Sequence, residues 1–121
     1  MILFDANMIL RYLLNDNADM ADRAEQYLNA GEASVTIEVM AEAVYVLRGV
    51  YAMERGIIAE TLKGFLDLAG CRDRDVLNLA LDTYGAQNID FVDCVLYAYH
   101  IVRGFEIATF DKKLLRLMAE N

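Results

Sequence analysis

The sequence predicts an α/β fold in which short parallel strands are covered on both faces by helices, and three features carry that prediction. Short apolar segments at residues 2–4, 33–35 and 107–110 each lead into a longer stretch with apolar residues at helical spacing. Glycines 31, 49, 70, 85 and 104 stand where those helical stretches run out. Proline is absent and 57% of the 121 residues are hydrophobic, which suits a compact, regular core rather than a disordered chain.

Taken in order, Ile2, Leu3 and Phe4 read as a buried strand that feeds a helix over residues 7–14, with Ile9, Leu10, Leu13 and Leu14 turned to a core. A helix over 19–29 carries Ala21, Ala24, Tyr27 and Leu28 on one side and stops at Gly31. The strand signal returns at Ala33, Ser34 and Val35, and Thr36 caps a helix that runs to Arg48 and closes at Gly49. Residues 57–68 place Ile58, Leu62, Phe65, Leu66 and Ala69 at helical spacing before Gly70, and a very short strand is signalled around Cys71. Asp73 is an N-cap for a helix with Val76, Leu77, Ala80, Leu81 and Tyr84 inward, ending at Gly85. Residues 90–103 are apolar nearly all round, the mark of a buried helix, and stop at Gly104. Residues 107–110 form the last strand, Asp111 follows it, and Leu114, Leu115, Leu117 and Met118 mark a closing helical turn or two.

A length of 121 residues fits one domain spanning 1–121. The first strand begins at residue 2 and is broken by Asp5, so the N-terminus lacks the apolar run of an export signal. The longest apolar stretch, residues 94–102, falls short of the ~18 residues a membrane span needs, so a cytoplasmic protein is expected. Cys71 and Cys94 are too far apart in sequence for a disulfide framework or a zinc spacing and are expected to be buried thiols. The single histidine, His100, lacks a His or Cys companion at ligand spacing and reads as an ordinary helix residue. A net charge of -8 argues against gripping nucleic acid by bulk electrostatics, unless some of the acids are neutralised by bound metal.

Asp5, Glu42, Asp93 and Asp111 stand out because each lies in an apolar setting, at a strand end or inside a hydrophobic helix. Ionised carboxylates withdrawn from water need a cation or hydrogen bonds. Asp5 and Asp111 also suit helix N-caps, and Glu42 shares a narrow polar stripe with Glu38 and Tyr45. Glu38, in the first helical turn, is explained by the helix dipole, and Asp90 by an N-cap. Asp93, one turn further in between Val92 and Cys94, is the functional candidate of that pair. Asn7 can offer a side-chain carbonyl or hold a ligating carboxylate. Two such charges ~5 Å apart repel by roughly 3 kcal/mol at an effective dielectric of 20. Mg²⁺ or Mn²⁺ would relieve that repulsion and create a phosphodiester-cleaving site with metal-bound water as nucleophile.

The segments ILFDANMILRYLL, TIEVMAEAVYVLRGVY, NIDFVDCVLYAYHIVRG and IATFDKKL, in this order and at these separations, resemble PIN-domain ribonucleases, and among them the VapC-like toxins of toxin-antitoxin modules. The resemblance covers nearly the whole chain. It implies a three-layer α/β/α sandwich around a short parallel sheet, divalent-metal dependence, endonucleolytic cleavage of RNA, homodimerisation and inhibition by a small antitoxin. It places the family's acids on Asp5, Glu42, Asp93 and Asp111, with Asn7, Asp90 and Thr109 in support. Arg11, Arg48, Lys112, Lys113 and Arg116 lie near these segments as candidates for RNA phosphate contacts. The 57% hydrophobic content of so small a chain independently favours a dimer.

Two rivals stand beside this reading. An Asp-dependent phosphoryl-transfer protein would use an acid after an early strand, yet the phosphatase type needs a second Asp where Asn7 stands, and the receiver type needs paired acids around the first strand. A catalytically silent PIN-like scaffold has no need to retain all four acids.

Overall fold

The computed structural model describes residues 1–120. Its sheet is short and parallel, as expected, and the helices dominate. Strand β1 (Ile2–Leu3) pairs with β2 (Ala33–Ser34) in the register Ile2 to Ala33 and Leu3 to Ser34. Phe4 N–H continues the pairing to Ser34 O at 2.9 Å. On the other side of β2, Gly70 bridges to Ser34, with Gly70 N–H on Ala33 O and Val35 N–H on Gly70 O, each 2.9 Å. The short strand expected around Cys71 therefore sits one residue earlier, and Gly70 serves the sheet instead of ending a helix.

The helices are α1 (Ala6–Leu14), α2 (Ala18–Asn29), α3 (Ile37–Gly49), α4 (Arg55–Leu66), α5 (Arg74–Ala86), α6 (Phe91–Arg103) and α7 (Lys112–Ala119). Side-chain caps start several of them: Asp5 accepts from Met8 N–H at 2.8 Å, Asn17 from Met20 N–H at 3.1 Å and Thr36 from Val39 N–H at 3.3 Å. Gly31 (φ +72°) and Gly104 (φ +70°) take the left-handed conformation after α2 and α6 that glycine adopts without steric cost. Gly85 differs from expectation: it lies inside α5, where an added Cβ would come within 3.0 Å of Ala59 Cβ on α4. Its small size sets how closely these two helices approach.

Helix α2 packs on α1, α1 on α3, α3 on both α4 and α6, α4 on α5, α5 on α6, and α6 on α7. All seven helices and both strand regions feed one buried cluster, with Phe4, Ile9, Met40, Leu47, Ile58, Leu62, Phe65, Leu77, Phe91 and Leu114 among its largest members. Edge contacts of Phe4 with Tyr27 and of Tyr84 with Phe91, at 6.1 and 5.7 Å between centroids, order its aromatic part.

The strand expected at residues 107–110 does not form. Ile107 and Thr109 are half-buried while Ala108 and Phe110 face water, so the alternation is present, but the described residues show no ladder partner for it. One inward-facing large apolar side chain gives too little burial to offset ordering a further strand. The stretch is held at its ends: His100 Nδ1 meets Phe105 O at 2.8 Å, and Asp111 N–H donates to Thr109 Oγ1 at 3.0 Å.

Asp73 precedes α5 but makes no capping bond. It joins Asp75 on Arg103, whose guanidinium spans both acids with contacts of 2.7 Å to Asp75 and 3.4 Å to Asp73. The hydrogen bonds from Arg103 hold the Asp75 carboxyl down at about 2. A depressed carboxyl stabilises the folded chain above the unfolded-state value near 4, and that contribution is lost as pH falls through about 2. Asp75→Asn should therefore melt earlier than the parent at pH 6, and the gap should close between pH 4 and 2; a gap that persisted at pH 2 would assign the stabilisation to something other than this charge.

The longest helices have 13 residues, and among the described residues no helix is long and apolar enough to cross a membrane. Cys94 is buried, its thiol pushed up to about 12 by desolvation, whereas Cys71 is only half-buried, contrary to expectation.

Candidate active site

Asp90, Asp93 and Asp111 line one surface cavity of about 510 Å³ together with Asn88, Phe110, Lys112 and Lys113. The helices decide this meeting. Asp90 and Asp93 belong to the start of α6, Asp111 caps α7 by accepting from Leu114 N–H at 2.8 Å, and α6 packs on α7. Because only one Asp111 oxygen serves the cap, the other is available to the cavity. Thr109 positions Asp111 through the backbone bond described above.

Asp90 stands at the N-cap position of α6 without capping it. Its carboxylate instead accepts from the Tyr45 hydroxyl of α3 at 3.2 Å. Partial burial raises the Tyr45 pKa first, and the Asp90 and Asp93 charges add to it. On α6, burial raises the Tyr99 pKa first, and the Asp73 and Glu38 charges add to it. Glu38, Glu42 and Tyr45 share one helical stripe, and all three are exposed, so Glu42 faces water on α3.

Asp93 is the perturbed acid. Desolvation raises its pKa most, followed by the charges of Asp111 and Asp90. Asp5 and Glu42 are outside the residues lining the cavity, Asp5 being engaged as the cap of α1. Asn7 lines a different, largely apolar cavity of about 300 Å³ with Ile2, Met8 and Arg11. The structure thus gathers Asp90, Asp93 and Asp111 and leaves Asp5, Asn7 and Glu42 outside that cavity.

The basic candidates divide in the same way. Lys112 and Lys113 stand in the acid cavity, Lys113 donating to Asn88 O at a long 3.4 Å, and Arg116 lines an adjoining hollow of about 300 Å³ that shares Asn88 and Lys113 with it. Arg11 is paired with Asp16 at 2.7 Å, and Arg48 donates to Met53 O at 3.0 Å, so both have structural partners. Tyr45 and Asn88 were not singled out as site residues by their spacing; for Tyr45 the available signal was its place on the Glu42 stripe.

Carboxylate oxygens are the donors that Mg²⁺ and Mn²⁺ take, and the repulsion felt at Asp93 is what a cation would relieve, so the donor chemistry fits a hard divalent ion. Among the described residues no three His, Cys, Asp or Glu side chains stand close enough together to hold a metal. Ligation would require the carboxylates to turn toward one another.

Asp93 offers a direct check. A raised carboxyl keeps its proton to higher pH in the folded chain than in the unfolded one, so its stabilising effect exists below the unfolded-state value and is lost as pH rises through the folded one. At pH 7 the Asp93 charge opposes folding. Asp93→Asn should raise the metal-free melting temperature at pH 7, and should shrink the upward shift on adding Mn²⁺, which for a site at ~100 times its dissociation constant is about 2.7 kcal/mol. Thermal melts with and without Mn²⁺ measure both; an undiminished shift in the variant would remove Asp93 from the ligands.

No curated protein and no solved structure matches the chain. The PIN domain family matches residues 2–120. PIN domains are commonly nucleases and generally use divalent metal ions. A parallel sheet wrapped in helices and an acid cavity built where two helices begin both lie within the matched span, and the chain belongs to the PIN-domain family.

Proposed function

We propose that the protein is a divalent-metal-dependent endoribonuclease that hydrolyses RNA phosphodiester bonds, with Asp5, Glu42, Asp93 and Asp111 as its metal-holding carboxylates. The observation that carries this reading is the cavity that Asp90, Asp93 and Asp111 line together with Lys112 and Lys113, where burial and then the Asp111 and Asp90 charges raise Asp93. Such a wall offers oxygen donors to a cation and ammonium groups to a phosphate. Asp5 and Glu42 enter through the sequence pattern and the resemblance.

In this reading Asp93 and Asp111 bind and orient the ion, Thr109 fixes Asp111, and Tyr45 holds Asp90 by hydrogen bond. These residues would hold Mg²⁺ or Mn²⁺, which would supply Lewis acidity toward a phosphoryl oxygen and activate a water for attack. Lys112 and Lys113 hold the substrate phosphate against that centre, and Arg116 extends the basic track along α7. Of the other groups, His100 is tied to Phe105 O and Cys94 is buried.

The toxin role, a small antitoxin partner, homodimerisation and a cytoplasmic location belong to the same proposal and rest on the resemblance and composition. The spread of the carboxylates favours one alternative, a catalytically silent RNA-binding PIN module. Incubation of purified protein with single-stranded and hairpin RNA separates the two. Cleavage with Mg²⁺ or Mn²⁺ that stops on adding EDTA supports the nuclease, and binding without cleavage under any of these ions supports the silent module.

A further inference from the structure

Phe110 is fully exposed, at 102% of its reference area, and it forms part of the wall of the acid cavity. Leaving a phenylalanine ring in water forgoes roughly 1.5–3 kcal/mol of burial. Its backbone is not loose. Asp111 N–H on Thr109 Oγ1 closes a turn around it, and the α7 cap begins at the next residue, so the ring is presented from a fixed support. Asp111, Lys112 and Lys113 follow it directly in sequence and share the cavity with it.

We propose that Phe110 is a stacking platform for one unpaired nucleobase of a single-stranded RNA whose adjoining phosphate rests on Lys112 and Lys113. Flat aromatic surface beside ammonium groups is the pairing that single-stranded nucleic acid presents in reverse, with a π-face next to a phosphate. A base inside a duplex keeps its neighbours on both faces and is closed to the ring, so the platform selects loops and single strands. Asn88, in the same wall, adds an amide within the cavity that can meet a base edge. This proposal rests on the ribonuclease reading for the nature of the substrate, and it adds the residue that stacks on the base.

The test uses a short single-stranded RNA carrying 2-aminopurine, whose fluorescence falls on stacking, titrated with the full chain in Ca²⁺. The parent and Phe110→Tyr should quench it, and Phe110→Leu and Phe110→Ala should not, since leucine keeps an apolar side chain without a flat face. Affinity for the strand should fall about tenfold in Phe110→Ala, within the range for one lost base stack, while affinity for duplex RNA stays the same. Because Phe110 is exposed, all variants should melt with the parent. Equal quenching by Phe110→Leu, or undiminished single-strand affinity in Phe110→Ala, overturns the platform. If Asp111→Asn abolishes cleavage while Phe110→Ala binds as the parent does, the platform falls and the nuclease stands; if quenching depends on Phe110 but no RNA is cut with Mg²⁺ or Mn²⁺, the platform stands and the nuclease falls.

Discussion

Asp93→Asn, Asp5→Asn and Glu42→Gln should each lower Mg²⁺- or Mn²⁺-dependent RNA cleavage by on the order of 10³-fold, the loss expected when several kcal/mol of metal-borne transition-state stabilisation is removed. Each amide keeps the side chain's shape and removes its charge, so the effect should appear in kcat without loss of fold. The three variants test different arguments. Asp93 stands on the geometry of the α6 and α7 start, with its carboxyl raised by burial and two like charges. Asp5 and Glu42 stand on the sequence pattern, since the cavity around Asp93 does not include them. Cleavage assays with a fixed single-stranded substrate decide each separately: an active Asp93→Asn enzyme would take the cavity out of catalysis, and active Asp5→Asn or Glu42→Gln enzymes would confine the chemistry to the cavity acids. Lys112→Ala with Lys113→Ala should chiefly weaken binding, because a phosphate contact fixes the substrate without entering the bond-breaking step.

Arg55→Ala should cost about 3 kcal/mol of stability, or roughly 10–15 °C in Tm. Arg55 lies at the start of α4 and donates to Tyr84 O at 2.9 Å, to Gln87 O at 2.8 Å and also to Ile89 O, with its guanidinium 3.8 Å over the Tyr84 ring. One side chain therefore satisfies three carbonyls where α5 ends and the chain turns toward α6. Removing it leaves Tyr84 O and Gln87 O without this donor, leaves Ile89 O with only the weak Cys94 thiol at 3.6 Å, and loses the cation–π contact as well. Arg55→Lys should recover little, because a single ammonium cannot reach three carbonyls from the planar fork's position. Since residues 88 and 89 line the acid cavity, the surviving folded fraction should also bind RNA less well. Melting curves measure the first effect; a change under 1 kcal/mol would mean that water replaces the guanidinium at no cost.

Much of the secondary structure was legible from local chemistry. Thr36 caps α3, Gly31 and Gly104 adopt positive φ after their helices, and β1 and β2 fall within the apolar segments 2–4 and 33–35 that place them. These features depend on neighbours within a few residues, and the sequence displays such neighbours directly. The 107–110 strand misled because its alternation matched a strand while its pairing did not exist; pairing is a long-range property that alternation alone does not encode. Gly85 and Gly70 misled for a related reason, since a glycine needed for close approach or for a bridge looks in sequence like a helix stop.

The sequence by itself determined the class of the fold and most helix starts, because each is a matter of residue type and short-range spacing; the apolar neighbours of Asp5, Glu42 and Asp111 did not mean burial, since all three carboxylates are exposed and only Asp93 is half-buried. Only the tertiary structure decided that Asp90, Asp93 and Asp111 share a cavity with Phe110 and two lysines, that Tyr45 rather than the α6 backbone engages Asp90, and that Arg55 ties the preceding loop in place. Charge repulsion, burial and hydrogen bonding act over a few ångströms in space, and residues 45 and 90 become neighbours only when α3 has packed against α6.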